Sequence, residues 1–484
     1  MGTHDFRSLD PEGHDLEELR ALGHRMLDDM FDNVSSLRGT PVWQPMPDAI
    51  RNGIREQKMP HAGQNPQDLY DFFSSHILPY AVGNRHPGFM GWVHGGGTLP
   101  GMLAEMLAAG LNANLGGRDH APVELERAVI RWTAEVLGLP VTSSGVLVTG
   151  SSMANFIAVL TASRATEDGT EIRTKGISGR RLRGYAAETA HGCISRAFDM
   201  CGLGSDALRV IPVDEKFRMD IAALRAAIVE DRASGIEPFL VVGTAGAVDT
   251  GACDPLDDIA ALADLENLWF HVDGAFGALA CLAPEMRSLI AGIEKADSVA
   301  LDFHKWAQVP YDAGCVIMRD GSRQRATFAQ NLAYLTKETR GMAANPPWFC
   351  DLGPDLSRGF RALKVWMTIS VYGTVELGRM VAQCCAVARH LADRVAAEPR
   401  LELLAPVALN IVCFRVRADD AVVNDLNGEL IRDMQESGVA APSATTLRGV
   451  RAIRCAIVNH RTLPEDVDCM IDHLFKLADA RSPE

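Results

Sequence analysis

The sequence predicts an α/β protein in which a large domain with a mostly parallel sheet precedes a small C-terminal α+β domain. Three observations predict it. Between residues 145 and 318, short apolar runs of strand length alternate with runs of helical length, and such alternation builds a parallel sheet with helices on both faces. A long helical stretch then runs from Arg358 to about Ala397 with little interruption. Beyond it, strand-like runs at 409–416 and 452–458 and helical runs near 424–437 and 463–479 make a smaller unit. The expected organisation is a helical segment over 1–85, a large domain over 86–375 and a small domain over 376–484.

Residues 1–85 are polar and helical, and Pro41, Pro45, Pro47, Pro60 and Pro66 break them. The run Leu16 to Met30 spaces its apolar residues as a helix does. A segment so short and broken has no core of its own, so it is expected to pack on the rest of the chain or on another copy. Gly95-Gly96-Gly97 after His94 mark either a backbone pressed against a neighbour or a loop. His94 to Gly97 also match the oxyanion loop of lipase-like hydrolases. That chemistry needs a GxSxG elbow, and no serine here sits in one.

Gly145 to Thr149 is a short apolar strand, Gly150-Ser151-Ser152 a small polar turn, and Met153 to Leu160 opens a helix. Strand, turn and helix N-terminus together bind phosphate, because free N–H groups and the helix dipole face the anion. The ordinary alternative is a serine N-cap. Neither GxxxxGK[ST] nor a GxGxxG between strand and helix occurs, which disfavours nucleotides. Strands follow at 238–244 and 268–273, the second ending in Asp273, with helices expected over 255–265 and 285–296. Lys305 lies on a tight connection between strands at 297–302 and 313–318. A lone lysine at a turn is usually a surface residue. A buried one is a nucleophile, because burial favours the uncharged amine. Ligands of such sheets bind at the carboxyl ends of strands, and Ser151, Ser152, Asp273 and Lys305 all fall just past strand ends.

Composition narrows the partners. The chain has 484 residues, 47% apolar and 23% charged, which is ordinary for a globular enzyme-sized protein. Its net charge of −15, with no basic block, disfavours nucleic acid and anionic membranes. Met1 to Phe6 lack a charged region leading into an apolar core, so no secretory signal is expected. No apolar run is long enough to span a membrane. Eleven scattered cysteines without a CxxC pair suggest reduced thiols and a cytoplasmic location, with no metal site. Cys193, Cys281, Cys413 and Cys455 are expected as small core residues.

A phosphate cradle, an acid at a strand end and a strand-end lysine 32 residues later are the parts that a pyridoxal-phosphate site needs. With them stand His271-Val272-Asp273-Gly274-Ala275-Phe276-Gly277, then His304-Lys305-Trp306 followed by Pro310-Tyr311-Asp312, and Val458-Asn459-His460-Arg461-Thr462. In these motifs the chain resembles the group II pyridoxal-phosphate decarboxylases of aromatic amino acids, histidine and glutamate, over about residues 70–480.

The resemblance implies a fold type I, aspartate-aminotransferase-like enzyme that binds pyridoxal 5'-phosphate. It also implies a homodimer with a shared active site, and decarboxylation of an L-amino acid to the amine. Residue by residue, it implies that Lys305 holds the cofactor aldehyde and Asp273 pairs with the pyridine nitrogen. Ala275 would pack under the ring, and His191 would stack on its other face. Ser151, Ser152 and His304 match phosphate-contacting positions, while Phe89, Trp92 and His94 match the substrate pocket and suggest an aromatic or apolar side chain.

Three departures from the family pattern stand out. Gly246-Ala247-Val248 replaces a glycine-threonine-threonine run, and Gly359 replaces a second arginine after Arg358. Residues 336–357 contain no tyrosine, where the family's mobile loop usually carries one that delivers a proton. The alternatives are therefore an oxygen-using decarboxylating deaminase that gives an aldehyde, or another pyridoxal-phosphate lyase reaction.

Overall fold

Twelve strands carry the fold of the computed structural model, which describes residues 9–481 apart from 167, 168, 178, 331 and 332. They are β1 Phe89–Met90, β2 Ser144–Val148, β3 Leu182–Ala187, β4 Leu208–Ile211, β5 Glu237–Thr244, β6 Trp269–Asp273, β7 Ser298–Asp302, β8 Gly314–Met318, β9 Leu401–Leu403, β10 Ile411–Val416, β11 Ala441–Leu447 and β12 Val450–Ala456. The N-terminal residues read for a secretory signal lie outside the described part.

The large sheet has the order β2-β8-β7-β6-β5-β3-β4. All neighbours pair in parallel except β8, which is antiparallel to both β2 and β7. Every residue of β7 and of β8 is buried, as expected of central strands covered on both faces. Because β8 reverses direction, the chain must turn sharply beyond Asp302, and that turn carries Lys305. At the carboxyl edge Val148, Gly314 and Asp302 lie side by side in register. A Cβ on Gly314 would lie 2.4 Å from the Cα of Gly150. Glycine there lets the turn after β2 pass close over β8, which brings Ser151 within reach of Asp302.

The small sheet has the order β1-β11-β12-β10-β9. Its first strand comes from far up the chain: Phe89 pairs in parallel with Ala441. The helix Arg361–Ala397 matches the long helical stretch, with one non-helical residue, Gly373 (φ 69°). The single helix expected over 285–296 is instead two short 3-10 turns, Arg287–Ile290 and Ile293–Lys295. Gly292 separates them at φ 100°, and a Cβ there would lie 2.4 Å from the Asp257 nitrogen. The close approach of the helix Leu256–Glu266 therefore breaks this segment. β3 and β4 escape the apolar-run criterion, since each carries an arginine and β4 is an edge strand.

The N-terminal helix Gly13–Ser35 buries only Leu22. All eleven cysteines are free; Cys193, Cys281, Cys413 and Cys455 are buried. No helix among the described residues is long and apolar enough to cross a membrane.

A buried ion pair fastens β2 to the rest. Glu126 on the helix Ala121–Leu137 pairs with Arg358, both almost fully buried. Glu126 Oε1 also accepts the Leu147 N–H at 3.0 Å, and Arg358 donates to the Leu115 and Leu147 carbonyls at 2.9 and 2.7 Å. Removing one partner strands the other's charge in the interior. Glu126→Ala should therefore lower unfolding stability by about 3–5 kcal/mol, read from urea or thermal melts. An effect below about 1 kcal/mol would mean that Arg358 finds water instead.

Candidate active site

The carboxyl ends of β2, β5, β6 and β7 open into one cavity of about 390 Å³. Nine of the ten residues that the sequence singles out line it: Trp92, His94, Ser151, Ser152, His191, Asp273, Ala275, His304 and Lys305. Phe89 does not. It is buried behind His94, with ring centroids 5.7 Å apart and planes nearly parallel.

Lys305 sits in the turn beyond β7 and is 20% exposed, with Nζ 2.9 Å from Asp302 Oδ2. The turn is held by the Phe303 N–H to the Ala313 carbonyl at 2.8 Å and by the Val309 N–H to the Phe303 carbonyl at 3.1 Å. Gly95 lies on its outer side and donates its N–H to the His304 carbonyl at 3.2 Å. A Cβ on Gly95 would lie 2.4 Å from the carbonyl oxygens of His304 and Lys305. That contact accounts for one glycine of the triplet: the backbone is pressed against the lysine loop.

Asp273 ends β6 and is buried. One oxygen accepts the Ala275 N–H at 3.2 Å, and the other has only a long thiol contact, Cys193 Sγ at 3.9 Å. Burial raises its carboxyl above the usual range, while Lys305, the Ala275 N–H and His191 pull it back. Behind it His271 is neutral, because burial lowers its ring to about 3. His271 is held by Asn155 at 2.7 Å and the Ser298 hydroxyl at 2.8 Å. A buried carboxylate with so few donors is under-satisfied. A protonated ring nitrogen presented from the cavity would complete it. Across the mouth the exposed His191 ring accepts the Cys193 N–H at 3.2 Å.

Ser151 opens the helix Ser151–Arg164, directly after β2. Its N–H and its hydroxyl both donate to Asp302, at 2.6 and 2.8 Å. A hydroxyl has one proton, so Ser151 turns only lone pairs elsewhere, whereas Ser152 is exposed to the cavity. His304 Nδ1 accepts the Ala313 N–H at 3.0 Å, so the neutral ring carries its proton on Nε2, 3.7 Å from Asp302. Burial lowers the His304 pKa. The helix N-terminus, Ser152 and Lys305 thus supply an anion site and an amine in one cavity. With Asp273 they fit a phosphorylated pyridine aldehyde.

One wall of the cavity is aromatic. Trp92, His94 and Phe89 stack in sequence, with His94 5.9 Å from Trp92, and Tyr311 meets His94 edge-on at 5.9 Å. Burial, then Lys305, lowers the His94 pKa, so this stack is uncharged near neutrality. Arg454 donates to the Trp92 carbonyl at 3.1 Å and to the Val248 carbonyl at 2.8 Å, tying the aromatic wall to the loop after β5. Val248, from the run that departs from the family pattern, lines the cavity; Thr244 lines it too, with a buried hydroxyl that has no partner.

Two contributors escaped sequence reasoning. In the sequence Asp302 reads only as the end of an apolar strand, although an acid at that place is itself a signal. Tyr311 stands in the Pro310-Tyr311-Asp312 motif, which by itself assigns it no role. Tyr334 has its side chain outside the described part.

Comparison with known proteins agrees with this geometry. The model of the pyridoxal-dependent decarboxylase conserved domain matches residues 47–417. An aromatic-L-amino-acid decarboxylase of Bacillus atrophaeus is 32% identical over 460 residues, 93% of each chain. The crystal structure of Oryza sativa TDC with PLP and tryptamine superposes with a TM-score of 0.89 at 25% identity, covering 98% of this chain and 99% of that one. That of Rhodiola rosea 4-hydroxyphenylacetaldehyde synthase gives 0.86 at 26% identity, covering 97% and 100%. With a family model matched over residues 47–417 and a relative 32% identical over 93% of each chain, the chain belongs to the pyridoxal-dependent decarboxylase family.

Proposed function

We propose that this pyridoxal-phosphate-dependent amino-acid decarboxylase takes an L-amino acid with an aromatic side chain and releases CO2 and the amine. The observation that carries the substrate class is the uncharged wall of Trp92 and His94, backed by the buried Phe89 and closed by Tyr311. Flat apolar walls of this kind favour an aromatic side chain by area and ring geometry. The similarity to an aromatic-L-amino-acid decarboxylase supports the same reading.

Bound pyridoxal phosphate supplies the sink for the electron pair released as CO2 leaves. The chain's own residues do the rest. Lys305 would hold the aldehyde. Asp273 would keep a proton on the ring nitrogen, because its carboxylate has few other donors. Ala275 and His191 would bracket the ring. Ser152, the helix N-terminus and His304 Nε2 would face the phosphate, and Ser151 would act there through Asp302. Tyr311 lines the cavity, and its phenol, protonated near neutrality as phenols are, can deliver the proton that completes the amine.

The domain division at 85/86 and 375/376 is part of this proposal. Gly373 interrupts the long helix two residues before the second boundary. A homodimer is part of it as well. Leu16, Leu19 and Phe31 on the first helix, and Met106, Leu107 and Leu111 on the helix Leu99–Leu111, are exposed apolar residues that a second copy would cover. Eleven free thiols support a cytoplasmic location.

The second reading, oxygen-dependent aldehyde formation, is favoured by one observation. Residues 336–357 hold no tyrosine, and Trp348 and Phe349 there are buried, Phe349 under the Arg358 guanidinium at 4.9 Å.

Three outcomes test these proposals. Aromatic amino acids assayed in air and without oxygen should give amine equal to CO2 in both. Aldehyde with matching oxygen consumption would make the second reading right. Asp273→Asn should retain cofactor yet lose about 10²- to 10³-fold in kcat, since an amide cannot stabilise a pyridinium; near-normal turnover would leave Asp273 merely structural. Sedimentation should show a dimer, and a fully active monomer would contradict the shared site.

A further inference from the structure

Asp302 closes β7 with its side chain almost fully buried, yet it lines the cavity. Its Oδ1 accepts the Ser151 N–H at 2.6 Å. Its Oδ2 accepts the Ser151 hydroxyl at 2.8 Å and lies 2.9 Å from Lys305 Nζ. A carboxylate buried this deeply persists only with donors and a cation beside it, and here the cation is Lys305. Facing the same nitrogen from other elements are His94, Asp273 and Cys193. His304 is its chain neighbour, and His191 and Tyr311 stand across the cavity. Burial holds His94 and His304 uncharged and raises the Cys193 thiol to about 12. Asp273 lies near enough to feel the Lys305 charge, but only Asp302 pairs with it directly.

We propose that Asp302 is the counter-ion of the Lys305 nitrogen and sets that nitrogen's proton affinity once the cofactor is attached to it. The inference rests on Lys305 being the anchor. Ser151 moderates the effect, because its hydroxyl shares Oδ2 with Lys305. Removing the carboxylate must weaken the hold on the proton, and removing only the Ser151 hydroxyl must strengthen it. A merely structural role for Asp302 would not produce shifts of opposite sign.

The holoenzyme is titrated while the band near ~420 nm of the protonated, cofactor-linked nitrogen is followed. Asp302→Asn should move the midpoint down by about one pH unit or more, a tenfold loss of proton affinity. Ser151→Ala should move it up. Should Asp302→Asn fail to hold cofactor, Ser151→Ala decides alone: a higher midpoint supports the assignment, and an unchanged or lower one overturns it. Midpoints of both variants that coincide with the parent's also overturn it. Borohydride reduction followed by peptide mapping separates the two levels. A tag on Lys305 with unmoved midpoints removes only this inference, whereas a tag on another lysine removes the anchor as well.

Discussion

The cavity depends on one close approach of backbone, Gly150 over Gly314. With any side chain at residue 314 the turn after β2 would be pushed away by a Cβ 2.4 Å from Gly150. Two consequences follow from that contact. The N-terminus of the helix Ser151–Arg164 reaches Asp302, and Asp302 in turn reaches Lys305. β8 is antiparallel between two strands that run the other way, so the lysine turn and the anion-binding turn flank its first residue. Amine and anion site are placed together by sheet topology, before any side chain is considered.

The opposite wall is placed by the small sheet and the segments that follow it. Arg454 on β12 spans from the Trp92 carbonyl to the Val248 carbonyl. Gln308, in the lysine loop, accepts the Gly96 N–H at 2.8 Å and donates to the Val458 carbonyl at 2.7 Å. Arg461 donates to the Gly96 carbonyl at 3.1 Å, and a Cβ on Gly96 would lie 2.8 Å from that guanidinium. Trp92 itself has φ 48°, a conformation that costs a bulky residue roughly 1–3 kcal/mol unless its surroundings hold it. The carbonyl bond from Arg454 does so. The aromatic wall is therefore a shared product of both sheets and of β1, which belongs to the small sheet although it precedes the large one.

Much of this was legible in the sequence, for reasons that differ by residue. The buried central strands stand out because both faces are apolar, so β5 to β8 read as continuous hydrophobic runs. Lys305, Asp273 and the two serines stand out because strand ends carrying chemistry are rare in such runs. β3 and β4 were not legible, because an arginine interrupts each short apolar run and bonds to a neighbouring segment, Arg183 to the Asp206 carbonyl and Arg209 to Glu230. The helix expected over 285–296 failed through a contact with Asp257, a long-range fact that no local pattern records. Asp302 is hidden by its neighbours, because it closes an apolar strand whose burial alone accounts for the segment. Ser151 was legible as a helix N-terminus, but its proton goes to an acid 151 residues away.

The charge arrangement then constrains how a ligand can lie. The cavity holds two buried carboxylates, Asp273 and Asp302, and Lys305 pairs directly with only the second. His94 and His304 contribute no charge near neutrality, since burial lowers both. Asp273 is therefore the acid with an unmet demand for a donor, and a ligand nitrogen bearing a proton would be stabilised there. An anionic group at that end would face an uncompensated carboxylate. At the other end Asp302 is already neutralised by Lys305 and by two donors from Ser151, so its repulsion is blunted where the helix N-terminus and Ser152 attract an anion. A pyridoxal phosphate held by these walls would satisfy both ends with its ring nitrogen toward β6 and its phosphate toward the helix after β2, which would leave its reactive carbon beside Lys305.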